Sequence, residues 1–435
     1  MSKRNNRAVV SSVALVCVLC AGLAWGRPGA AQTARPAVTV NPKSAAVREA
    51  TAEVLRETSA LRQLKVLRTV ESGAQSRPDI ERMLIENLNE STSPEEMRVS
   101  ELALKKFGLA PPEFQLRPLI IAVLTEQIAG YYSPKAQTFY LADWINPDGL
   151  KPIIAHELTH ALQDQHFNLR RFENWPKHDS DAELAAQALV EGDATVLMMQ
   201  YAAQDPARGL ALFKAMGQSS TVQLDSAPHA LRETLMFPYV VGMTWAAQVH
   251  RKGGWQLITR AYTDLPKSTE QIMHPEKYFA REEPVREIAW QDVSAVLGKG
   301  WRVTDYDVSG EWGYYLILDE HLKSRADSMK AAAGWGGDRY VLYEGPGRAD
   351  ALLVQYTQWD TEEDAAEFFD AYVRRTDRRY KQLGGARLAP EAAATRAAWT
   401  TTEGGVVVER RGPRVLMAEG LPKNTKPELL AKLFP

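Results

Sequence analysis

Ile153-Ile154-Ala155-His156-Glu157-Leu158-Thr159-His160-Ala161-Leu162 is the stretch on which the fold depends. An α-helix advances about 100° per residue, so positions four apart lie on one face. His156 and His160 therefore point the same way and can hold one metal ion between them. Glu157 flanks that face, close enough to take a proton from a water held at the ion. The residues around these three are uncharged. Such a helix belongs in a core, where neutral imidazoles are available as ligands. Pro152 suits the first helical turn, where a missing N–H costs nothing. The plainer alternative is a core helix whose two histidines are only hydrogen-bonded.

His-Glu-x-x-His on a helix is the spacing with which zinc enzymes place two ligands and a general base. Catalytic zinc takes three protein ligands and leaves one position for water. Two residues compete for the third place. Glu191 lies in Leu189-Val190-Glu191-Gly192-Asp193-Ala194, among Leu184, Ala188, Thr195 and Met198. An ionised carboxylate on such a face is costly without a partner. Gly192 weakens a helix by roughly 1 kcal/mol relative to Ala, which makes sense if two helices approach closely there. His166 is the alternative ligand, but it needs the chain to turn sharply after His160. That turn relies on Gly where this sequence has Gln163. On a continuing helix His166 points away from His160, so Glu191 is favoured.

The pattern His156-Glu157-x-x-His160, then Glu191-Gly192-x-Ala194, resembles the gluzincin group of zinc metallopeptidases, the thermolysin-like clan. Ala155 to Phe167, Ala188 to Thr195, Ser268 to Tyr278 and Gly334 to Tyr340 further resemble a family of secreted bacterial metallopeptidase-like proteins of undefined substrate. The likeness runs from Glu126 to Tyr278 and more loosely to about residue 370. It implies a mostly helical zincin-like domain with a small edge sheet, in which His156, His160 and Glu191 bind Zn2+ and Glu157 is the base. It also implies hydrolysis of a peptide or protein substrate. Such enzymes commonly carry an Asp four residues after the glutamate ligand to orient a histidine; here that position is Thr195. Asp164 and Asp193 are the candidate substitutes. For the oxyanion, His274 is the first candidate, with Tyr278 or Tyr262 next. Two alternatives stand beside this: a zinc-stabilised binding protein without turnover, and a structural protein without metal.

Around this centre the chain divides into five parts. Residues 1–31 read as a secretory signal, with Lys3, Arg4 and Arg7 before the apolar run Ala8 to Ala24 and small residues at 29–31. A retained membrane anchor is the rival, because the run approaches the roughly 18 residues a span needs. Residues 32–43 read as a flexible leader, 44–125 as a helical region, 126–285 as the zincin-like domain and 286–435 as a C-terminal α+β domain. Within the helical region Val54, Leu55, Leu61, Leu64 and Leu67 form an apolar stripe, and Ser93 to Glu96 a capping box. Gly130–Tyr132 and Thr138–Leu141 predict a β-hairpin, and Ser180 to Glu183 a capped helix start.

Both cysteines, Cys17 and Cys20, lie in the signal. An exported chain, periplasmic or extracellular, then holds together by its core and not by disulfides. Without residues 1–31, 48 basic residues face 54 acidic ones. That balance argues against nucleic acid as a partner. No later stretch is long and apolar enough to span a bilayer, so no membrane span is expected after signal cleavage.

Overall fold

The structure is a computed structural model. It describes residues 42–433, apart from 173–174, 177, 219–220, 281–284, 348, 389–394 and 426. The signal of residues 1–31 and most of the leader lie outside the described residues. The leader's last two positions do not, because helix α1 (Pro42–Arg62) already begins there. It buries Val47, Val54 and Leu55 and ends before Gln63, whose φ is 60°. The expected stripe stops short of Leu67, which is 61 % exposed. The region is not all helix either, for Glu71–Gln75 form strand β1.

Helices α2 (Arg77–Ser91), α3 (Pro94–Phe107) and α4 (Leu116–Gln127) follow. Ser93 and Glu96 cap α3 reciprocally, and left-handed Gly108 closes it. The hairpin joins β2 (Gly130–Ser133) to β3 (Thr138–Ala142), antiparallel. β1 pairs in parallel with the far side of β3, giving the order β1-β3-β2. β2 is thus one of the two edge strands, and it packs on helix α5 (Lys151–Phe167).

Every residue of α5 from Pro152 to Asp164 is buried. A helix covered on all sides is a central one; α1, β2 and α6 (Ser180–Ala203) surround it. Asp179, rather than the expected capping box at Ser180, caps α6 by accepting from Ala182 N. Ser180 is drawn away by Asp307, 127 residues on. Helices α7 (Pro206–Gln218) and α8 (Val222–Ser226) follow. In α9 (His229–Ala261), Gly253 and Gly254 leave helical angles.

α6 and α9 cross with their backbones in contact. A Cβ on Gly192 would lie 2.3 Å from Gly242 O, and one on Gly242 2.4 Å from Ala188 O. Real carbon atoms do not approach an oxygen so closely, so both positions demand glycine. This crossing fixes the depth of Glu191.

Ser268 caps α10 (Thr269–Met273), followed by α11 (Pro275–Ala280) and α12 (Ser294–Leu297). The remainder is α+β: β4 (Arg302–Asp307), α13 (Gly310–Leu322), α14 (Arg325–Ala332), β5 (Trp335–Glu344), β6 (Ala351–Trp359), α15 (Glu362–Gln382), β7 (Ala386–Arg387), β8 (Arg396–Thr401), β9 (Gly404–Arg411), β10 (Arg414–Leu421) and α16 (Pro427–Leu433). The strands run antiparallel in the order β4-β5-β6-β10-β9-β8-β7.

Side chains alternate between the two faces of this sheet. Leu342, Leu353, Val408 and Met417 join a core that reaches back to Val47 of α1. Val341, Leu352, Val407 and Leu416 face a smaller cluster with Leu429 and Leu433 of α16. At the seam, Glu419 accepts from Arg375 and Arg379, and the two guanidinium groups also reach the carbonyls of Phe107 and Lys106 at the end of α3. Cations at a helix C-terminus meet the negative end of its dipole. Among the described residues, no helix is long and apolar enough to cross a membrane.

Gly192→Ala tests the crossing. Alanine is the better helix former by about 1 kcal/mol, yet the variant should lose about 1–3 kcal/mol or more, as overpacking does. Denaturant unfolding measures the sign, and a stabilised variant would refute the close contact.

Candidate metal centre

Three side chains converge between α5 and α6. His156 Nε2 and His160 Nε2 lie 3.1 Å apart, and Glu191 Oε2 is 3.2 Å from the first and 3.4 Å from the second. Ligand atoms on tetrahedral arms of about 2.0–2.1 Å stand about 3.3 Å apart. The triangle is therefore of the size that one divalent ion needs. All three residues are buried, and among the described residues they form the one group of three or more such ligands that could hold a metal ion. The Tyr239 ring from α9 lies along His156, centroids 6.4 Å apart, and walls this side of the site.

Glu157 sits beside the triangle. Its Oε2 accepts from the Tyr132 amide of edge strand β2 at 2.9 Å, while Oε1 is buried with no hydrogen-bond partner. Burial pushes this carboxyl up to about 8. Burial would also raise Glu191, but the two imidazoles outweigh it and hold the group at about 2. His160 shows the reciprocal effect: burial would depress it, and Glu191 raises it to about 9. His156, dominated by burial, moves down. Glu191 and His160 thus shift in opposite directions, each favoured in its charged form by the other.

Behind the ligands, Gln163 bonds to His160 Nδ1 at 2.8 Å, and Asp193 joins Gln163, Arg62 and Tyr262 in one buried network. Gln163 and Arg62 were missed by sequence reasoning. Arg62 falls in phase with Val47, Thr51, Val54 and Thr58 on the buried face of α1, and that phase was the available signal. Asp164, the other candidate for orienting a ligand, instead binds Arg68 at 2.5 Å and accepts from Tyr132 Oη at 2.9 Å. Thr195 Oγ1 is buried without a partner.

The alternative ligand His166 is on the continuing helix, with Nε2 2.7 Å from Lys65 O. The turn its role requires does not occur, because α5 runs on to Phe167. The oxyanion candidates have partners of their own. Tyr262 Oη donates to Asp193 at 2.8 Å and Tyr278 Oη to Asp264 O at 2.9 Å. His274 Nε2 meets Glu311 Oε1 at 2.9 Å.

The Glu311 contact raises His274 above its ordinary 6.5, against the opposing effect of burial. The charged imidazole therefore contributes stability in full below 6.5, and this is lost as pH rises through the raised value. The gap in unfolding midpoint between parent and His274→Gln should shrink with rising pH over that window. A gap independent of pH would show that no ionic pair forms.

Residues 300–429 match a family model described as a domain of unknown function (DUF8575). That match covers the C-terminal sheet and excludes His156, Glu157, His160 and Glu191. No curated protein and no solved structure matches the chain.

Proposed function

We propose that this chain is a zinc-dependent metallopeptidase of zincin-like architecture, exported and acting on a peptide or protein substrate. The convergence of two imidazoles and one carboxylate beside Glu157, whose Oε1 has no partner, carries this reading. Two histidines and one glutamate are a donor set found at catalytic zinc. Zinc held by His156, His160 and Glu191 would lower the pKa of a bound water toward 7 and polarise a scissile carbonyl. Glu157 accepts the proton at Oε1 while the Tyr132 amide keeps Oε2 in place. The same carboxyl can then return that proton to the leaving amine. The seat of the third ligand next to the glycine crossing gives the site a rigid floor. Export is supported by the sequence alone, through the basic-apolar start and the lack of cysteine beyond Cys20.

A second reading is favoured by one observation. His156, Glu157, His160 and Glu191 are at most 3 % exposed, as residues around a structural ion would be. Under that reading the metal stabilises a binding protein, and Glu157 is an unused acid.

Glu157→Gln separates the two. As a peptidase, the variant should keep its zinc, measured by elemental analysis, while peptide hydrolysis falls about 10²–10⁴-fold, the usual worth of a general base. Fully zinc-loaded parent that cleaves none of a diverse peptide library would select the structural reading. Folded parent that takes up no zinc would overturn both.

A further inference from the structure

We propose that Gln163 is a positioning residue for His160, and that the Arg62–Asp193 ion pair holds it, making α1 part of the metal centre. This rests on the metal-binding reading above. Gln163 Nε2 lies 3.0 Å from Val190 O and 3.0 Å from Asp193 Oδ2. Both of those atoms can only accept, so the nitrogen of the amide must face them. The amide oxygen therefore faces His160, and His160 Nδ1 must be the donor across the 2.8 Å contact. A proton fixed at Nδ1 commits Nε2 to the ligand triangle. His156 has no such device, for its Nδ1 is buried without a partner.

The amide is itself held from behind. Asp193 accepts from Arg62 Nε at 2.7 Å, from Arg62 Nη2 at 3.0 Å and from Tyr262 Oη at 2.8 Å. A guanidinium fork on two carboxylate oxygens fixes the plane of the carboxylate. Thr259 Oγ1 accepts from Nη1 of the same arginine, and the Trp255 ring lies under its guanidinium. Arg62 and Asp193 are wholly buried. Neither can be removed without stranding the other's charge. Arg62 is the last residue of α1, so the docking of that helix and the aim of His160 are one event.

Gln163→Leu keeps the bulk and removes the acceptor. Zinc affinity, measured by competition with a chelator, should weaken about 10–100-fold, as it does when a ligand loses its supporting hydrogen bond. In the metal-free protein, the slowly exchanging imidazole N–H proton of His160 should be visible by NMR in the parent and lost in Gln163→Leu. Gln163→Asn, which keeps an amide but shortens its reach and leaves the Arg62–Asp193 pair intact, should show both changes to a smaller extent; it decides the matter if Gln163→Leu does not fold. Parent-like zinc affinity together with a parent-like imidazole proton in the variants would overturn the proposal. A parent that binds no zinc would instead defeat the metallopeptidase reading, and the imidazole proton would still report on Gln163.

Discussion

A carboxylate with almost no access to water dictates much of this architecture. Glu191 is 3 % exposed, and an unpaired ion at such depth is prohibitively costly. The two imidazoles of α5 supply its counterpart, which requires them on one helical face and requires α5 and α6 to meet in a fixed register. Gly192, next along α6, lets the backbone of α9 close over the site. The same packing that excludes water from the carboxylate also brings Glu157 and the amide of β2 together. Chemistry and core packing are therefore consequences of one arrangement.

The C-terminal half answers the same problem differently. Glu419 is buried too, and Arg375, Arg379, Tyr372 and Tyr380 surround it with donors that hold it at about 2. Because those arginines also bind the last carbonyls of α3, the ion cluster works as a joint between the α+β sheet and the N-terminal helices. The continuous core from α1 to β10 adds the apolar part of that joint. Charges here are neutralised by partners far away in the chain, and each such pairing ties together segments that local sequence preferences leave independent.

This distance explains what could be read from the sequence. Helix α5 was legible because its two histidines obey a period the α-helix imposes. Glu191 and Gly192 were legible as anomalies, a charge and a helix weakener on an apolar face. The α3 capping box and the hairpin are encoded within a few residues each. By contrast, Glu71–Gln75 has no alternation to mark it as a strand, and it becomes one through β3, some 67 residues later. Ser180 carried a correct local signal that Asp307 overrode. Arg62 and Gln163 took their roles from contacts 131 and 30 residues away. No short window contains that information.

The grip on Glu157 Oε2 comes from a main-chain amide. Every residue type except proline carries that group, so position 132 can drift through evolution without releasing the carboxylate. An alanine substitution at 132 would remove the Oη bond to Asp164 and leave this amide donor untouched, so it would not report on the contact. This contact is thereby written in the path of the backbone and is hidden from any comparison of side chains.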